Sequence, residues 1–222
     1  MDIAKKISEI KQTLPEEVKL VAVSKTKPNE DILVVYHSGH RIFGENKVQD
    51  LTKKYEELPK DIEWHFIGHL QRNKVKYIAP FVYLIHGVDS VKLLKEINKQ
   101  GARNKRIISC LLQFHIAEEE TKFGLSVEEA KELLSSKQYR AFENIQIKGV
   151  MGMATYTENE EQVAKEFRML KNIFNTLKNE YFSDSKDFCE ISMGMSDDYL
   201  LAVKEGSTMV RIGSKIFGAR NY

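Results

Sequence analysis

The sequence predicts an α/β fold in which parallel strands and the helices between them close into a single (β/α)8 barrel of the TIM type. Three observations carry this. Strand-like and helix-like patterns alternate from one end of the chain to the other, in roughly eight strands, each but the last followed by a helix. The 222 residues, 42% of them hydrophobic, suit one sizeable core, and a compact eightfold barrel fits that length. No GxGxxG follows the first strand, where an open dinucleotide-binding sheet would place its glycine turn. The span 1–222 is therefore expected to be one barrel domain, with 1–17 supplying a helix packed on it.

The opening segment "MDIAKKISEIKQTL" (1–14) spaces its apolar residues as a helix does and lacks the continuous apolar run of a signal peptide. "VKLVAVSKT" (18–26) is apolar on both faces, as a strand buried on both sides must be, and "NEDILVVYHSG" (29–39) follows as an amphipathic helix. The next units are "RIFGEN" (41–46) with "KVQDLTKKYEEL" (47–58), "EWHFIG" (63–68) with "NKVKYIAPFV" (73–82), and "VYLIHGVD" (82–89) with "SVKLLKEINKQG" (90–101). They are followed by "RIISCLLQFH" (106–115) with "SVEEAKELLSS" (126–136), "IQIKGVMGMA" (145–154) with "NEEQVAKEFRMLKNIFNTLKNE" (159–180), and "FCEISMG" (188–194) with "SDDYLLAVKEG" (196–206). "TMVRIGSKIFG" (208–218) is the last strand.

Lysine and arginine number 34 against 32 aspartate and glutamate, a net charge of +2 with the two signs interleaved, so neither nucleic acid nor an acidic membrane is an expected partner. No apolar run approaches membrane-spanning length. Cys110 and Cys189 lie in strand-like runs and form no CxxC, which reads as two buried thiols in a reducing compartment. A soluble cytoplasmic protein is expected, monomeric with a dimer as the alternative. His65 and His69 are four apart across a strand end and a loop, with no carboxylate motif, so no metal site is expected.

Function in a barrel collects at the carboxyl ends of the strands. The first strand ends at Ser24 and Lys25, and period two puts Lys25 on the face of Val21 and Val23, while Lys27, beside Pro28, is expected at a turn and in solvent. A lysine at the mouth is either an amine nucleophile toward an aldehyde or ketone or a stem that snorkels to the rim. Arg211 sits between Val210 and Ile212, where its guanidinium needs a fixed hydrogen-bond acceptor. Gly213 and Ser214 follow, allowing close backbone approach beside a hydroxyl, as phosphate cradles require. Ser196 reads as the N-cap of the helix that follows, with Asp197 and Asp198 in its first turn, or as a phosphate ligand together with Ser192. The first and last strands are neighbours in a closed barrel. A lysine for an aldehyde, a small-residue cup for a phosphate and an arginine beside them describe a site for pyridoxal 5'-phosphate (PLP).

Six ordered segments, "VAVSKTKP", "FGENKVQD", "WHFIGHLQRNK", "KGVMGMA", "SMGMSDD" and "GSTMVRIGSKIFGAR", resemble the pyridoxal phosphate homeostasis protein family, which has the alanine racemase N-terminal barrel fold. The resemblance runs from Val18 to Tyr222. It implies that Lys25 holds PLP as a Schiff base (internal aldimine), that the phosphate lies among Ser192, Ser196, Gly213 and Ser214, that Arg211 contacts the pyridine nitrogen, and that Asn46 lies close by. His69 and Arg72 depart from the family pattern at the substrate-side rim. An arginine at the ring nitrogen opposes its protonation and weakens the ring as an electron sink. The related racemases also take a second acid-base residue from an added domain and a partner chain. The resemblance therefore implies a carrier that binds, buffers and delivers PLP to PLP-dependent apoenzymes, without turnover. Three alternatives stand beside it: an amino-acid racemase whose second base is Tyr156, His65 or His69; a class I aldolase using the lysine without a cofactor; and a structural or nucleic-acid module, which the charge balance disfavours. Trp64 and the two Met-Gly-Met segments (151–153, 193–195) are expected to pack the core and the barrel top.

Overall fold

The computed structural model describes residues 2–118 and 123–219. Its strands are β1 (Lys19–Val23), β2 (Ile42–Glu45), β3 (Glu63–Phe66), β4 (Leu84–Val88), β5 (Ile108–Gln113), β6 (Ile145–Met151), β7 (Glu190–Ser192) and β8 (Met209–Ile212), paired in sequence order into a closed barrel. All pairings are parallel, and β1 closes the ring on β8 with Val21 opposite Arg211 and Ala22 opposite Ile212. Each strand has two neighbours, so the sheet has no free edge.

The helices are α1 (Ile3–Thr13), α2 (Asn29–His37), α3 (Val48–Glu57), α4 (Val75–Ile78), α5 (Val91–Arg103), α6 (Val127–Ser135), α7 (Lys137–Arg140), α8 (Glu160–Tyr181), α9 (Tyr199–Lys204) and α10 (Ser214–Phe217). The strands alternate side chains between two environments. Val21, Leu84, Leu111, Met151 and Met209 form a small apolar plug inside the barrel. Leu20, Ala22, Phe43, Trp64 and Phe66 point the other way and join the helices in the main core. On α8 the buried Val163, Phe167, Leu170, Phe174 and Leu177 recur at helical spacing, so its length follows from one continuous apolar stripe. At the start of the chain, α1 buries Ile7 and Ile10 and packs on α2 and α10.

Local chemistry sets the helix limits. Ser126 and Glu129 form a reciprocal capping box at the start of α6, the serine hydroxyl accepting from the Glu129 amide and the glutamate from the Ser126 amide. Ser126→Ala is expected to lower stability by about 1 kcal/mol, read as a lower urea midpoint at unchanged slope.

Four expectations need correction. The last strand stops at Ile212 instead of running on to 218, because the backbone turns at Gly213 and winds into α10. The 73–82 segment holds only a 3-10 turn (Arg72–Lys74) and the single-turn α4, since Pro80 forbids a longer helix there. Ser196 is not an N-cap: it lies in a turn, and α9 begins three residues later at Tyr199. Cys110 is buried, yet Cys189 is exposed, because β7 begins one residue after it. Among the described residues no helix is long and apolar enough to cross a membrane.

Candidate functional site

The carboxyl ends of β1, β7 and β8 converge at one mouth. Lys25 stands there, half-buried, in the turn that follows β1. The residues on either side of it are clamped. Ser24, wholly buried, donates its hydroxyl to Glu45 Oε1 at 2.7 Å, and Lys54 Nζ from α3 donates to both the Ser24 carbonyl (2.8 Å) and Glu45 Oε1 (2.7 Å). Burial raises the Glu45 pKa, and the Lys54 ammonium and Ser24 hydroxyl oppose that shift. On the other side Thr26 adopts a left-handed φ of 64°. Lys27 is buried and not in solvent: its ammonium donates to the Phe217 carbonyl (3.1 Å) and the Ala219 carbonyl (2.6 Å) beyond α10. The Phe217 carbonyl is a free one at the end of α10, where a cation is favoured, and the Ala219 carbonyl follows just beyond it. Sequence reasoning missed this contact because its two partners are 190 positions apart.

On the neighbouring strand β8, Arg211 is buried and its guanidinium donates to Ser192 Oγ (2.6 Å) and the Gly152 carbonyl (3.1 Å). The acceptors that the sequence demanded are therefore a hydroxyl and a carbonyl. Burial pushes the Arg211 pKa down to about 10, and Asp198 opposes this through space without a hydrogen bond. At neutral pH the group stays a buried cation with no bonded carboxylate among the described residues. Beside it the Gly213 amide donates to Ser196 Oγ at 3.3 Å, and a Cβ at Gly213 would stand 3.1 Å from the Val23 carbonyl. That tight approach holds the ends of β8 and β1 together. Ser214 is exposed at the first position of α10, and Asn46 is half-buried beyond β2. At Gly68 a Cβ would meet the Asn46 carbonyl at 2.3 Å, so only glycine lets the loops after β2 and β3 pack there.

The structure separates the second-base candidates. His65 is not at the mouth. It is sealed inside the barrel with its Nδ1 2.9 Å from His86 Nε2, and burial drives its pKa down to about 3, so it stays neutral. His69 is at the rim, partly exposed, with Nδ1 3.1 Å from Asp89 Oδ2 and its ring stacked on Phe123. Tyr156 is exposed. Trp64 is fully buried, as expected.

Comparison with known proteins follows this geometry. Residues 2–221 match the family model described as alanine racemase, N-terminal domain. A pyridoxal phosphate homeostasis protein of Aquifex aeolicus (strain VF5) is 42% identical over 205 residues, 92% of this chain and 88% of that protein. The chain belongs to the pyridoxal phosphate homeostasis protein family. A second pyridoxal phosphate homeostasis protein, from Haemophilus influenzae, is 40% identical over 92% of this chain and 86% of its own length. The solved structure of PipY from Synechococcus elongatus PCC7942 superposes with a TM-score of 0.91 without PLP and 0.87 with PLP bound, at 32% identity over 97% of this chain and all of the other. Alanine racemase of Bartonella henselae shares the barrel at a TM-score of 0.71, but at 14% identity and with 59% of its length covered it speaks only to the fold.

Proposed function

We propose that the chain is a PLP-holding protein of intracellular PLP homeostasis, binding the cofactor through Lys25 and buffering it or delivering it to PLP-dependent apoenzymes in the cytoplasm. One observation supports this most: a buried guanidinium with no hydrogen-bonded carboxylate among the described residues sits where the ends of β6 and β7 meet β8, the neighbour of the strand that leads to Lys25, beside the Ser196–Gly213 contact. That donor set fits the group. A buried cation bonded only to neutral acceptors has N–H groups left for a ring nitrogen, and the hydroxyls and amides around Ser196, Gly213 and Ser214 suit a phosphate.

When bound, PLP supplies an aldehyde that an amine can condense with and a ring that can take up electron density. Lys25 supplies that amine. Arg211, a permanent cation, directs an N–H to the ring nitrogen and disfavours a proton there, which keeps the sink weak. Ser196, Gly213, Ser214 and Asn46 complete the contacts, and Ser192 takes part through its bond to Arg211. Holding and releasing the cofactor therefore suits this site better than turnover, and His65, sealed and neutral, supplies no second base. A racemase reading draws on one observation, the Asp89-oriented His69 at the rim. Exchange of an amino acid's α-hydrogen for deuterium by the PLP-loaded protein would favour it.

The test is the visible spectrum of the purified protein with added PLP, followed by borohydride reduction and peptide mass analysis. A chromophore with the reduced adduct on Lys25 supports the reading. A protein that takes up no PLP overturns it. Arg211→Gln is expected to leave Lys25 labelled at saturating PLP but to speed loss of the cofactor on dialysis by about tenfold, as removal of a hydrogen bond from a charged group would.

A further inference from the structure

Behind Arg211 runs a file of polar groups that the barrel interior does not otherwise need. Ser192 Oγ, which accepts from Arg211, lies 2.9 Å from His86 Nδ1, and His86 Nε2 lies 2.9 Å from His65 Nδ1. All of these side chains are buried, and His65 Nε2 has no partner among the described residues. The His65 ring lies parallel to Tyr83, 3° between planes, which fixes its plane, and the contact with His86 sets its orientation within that plane. Polar atoms in a barrel interior are costly unless they do something.

Hydrogen-bond arithmetic gives the file one direction. Arginine can only donate, so Ser192 Oγ accepts from it. If the Ser192 hydroxyl then donates to His86 Nδ1, His86 carries its proton on Nε2 and donates to His65 Nδ1, and a single orphan remains, the His65 Nε2–H. If the file ran the other way, the Ser192 hydroxyl would have no acceptor among the described residues and the His65 Nε2 lone pair no donor, which makes two orphans. The first direction also turns a lone pair toward the guanidinium at every link, so each bond reinforces the next. Protonation of either histidine would break the run and add a second cation near Arg211. Burial and the neighbouring charges hold both histidines neutral.

We propose that Ser192, His86 and His65 form a one-way hydrogen-bond relay whose task is to position Arg211 for the ring nitrogen of the cofactor. This rests on the PLP-binding reading above. Ser192 then belongs to the arginine side of the site: its oxygen serves Arg211 and its hydrogen serves His86, so it has none to give a phosphate. His86 and His65 are positioning residues, since neither touches the cofactor.

The test has two arms. On the cofactor-free protein, long-range proton–nitrogen NMR should show both His65 and His86 as Nε2–H tautomers. An Nδ1–H tautomer at His86 overturns the relay whether or not PLP binds. In the second arm, His86→Gln can still accept from Ser192 and donate to His65, whereas His86→Met can do neither. Both variants are expected to label at Lys25 at saturating PLP. His86→Met should lose PLP on dialysis about fivefold faster than the parent, while His86→Gln stays within about twofold. Equal retention in all three proteins overturns the proposal. If the parent protein takes up no PLP, the PLP-binding reading has failed, and the tautomers alone then decide the relay.

Discussion

Replacing Lys25 with alanine is expected to abolish the bound PLP chromophore and the borohydride-fixed adduct together, with the fold intact. The reason is local. Lys27, the nearest lysine in the chain, has its ammonium held by the Phe217 and Ala219 carbonyls, and the nearby Lys54 ammonium is held by Ser24 and Glu45. Neither can supply a free amine without giving up buried hydrogen bonds. Lys25 follows directly on the clamped Ser24, so its removal costs the site its amine and leaves the clamp in place. A full chromophore in Lys25→Ala, mapped after reduction to another lysine, would show that the anchor had been misassigned.

Acid is expected to unfold the protein sharply. Three buried histidines, His40, His65 and His86, have pKa values depressed chiefly by burial, His40 to about 4, His65 to about 3 and His86 well below the usual 6.5. Below pH 6.5 the unfolded chain takes up these protons and the folded chain does not. The stability they contribute is therefore complete at neutral pH and is lost as pH falls from 6.5 toward 4. His40 and His65 are each worth about 2 kcal/mol between pH 7 and pH 5, about 4 kcal/mol together, and His86 adds in the same direction. Glu45, whose pKa burial raises, works in the opposite sense and trims the total. Urea unfolding at the two pH values should show the loss, and His40→Gln should remove about a third of it. A midpoint unchanged between pH 7 and pH 5 would contradict the histidine assignment.

Much of this was legible from residues alone. All eight strands fall within the segments predicted from β-branched and small apolar runs, since burial on both faces of a parallel strand leaves little room for polar residues. Lys25, Arg211 and Gly213 stood out as candidates because a charged or turn-forming residue interrupts or closes the apolar run at the end where barrels place function. Of the two roles read for Ser196, the capping one followed from a serine before two aspartates, which looks like a helix start, yet here its hydroxyl takes the Gly213 amide instead. The contacts of Lys27 could not be read, because a buried ammonium needs acceptors that only the closed ring brings near. The histidine pair did leave a signal. His86 shares the inward parity of Leu84, and His65 pairs in register with Leu84, so two polar side chains fall at inward positions on adjacent strands. Reading each histidine separately hid that coincidence.

The pairing of β1 with β8, and of Lys27 with carbonyls 190 and 192 positions later, has a consequence for how the protein is made. A ribosome delivers the lysine-bearing turn early and its structural partners some 190 residues later. Contacts so distant along the chain form late in folding. A nascent chain that has emerged only as far as α8 carries Lys25 but has no Arg211, no Gly213 and no acceptor for Lys27. Formation of the mouth thus waits on the segment after α8, and a ligand that needs both β1 and β8 can be retained only once that segment has joined the ring.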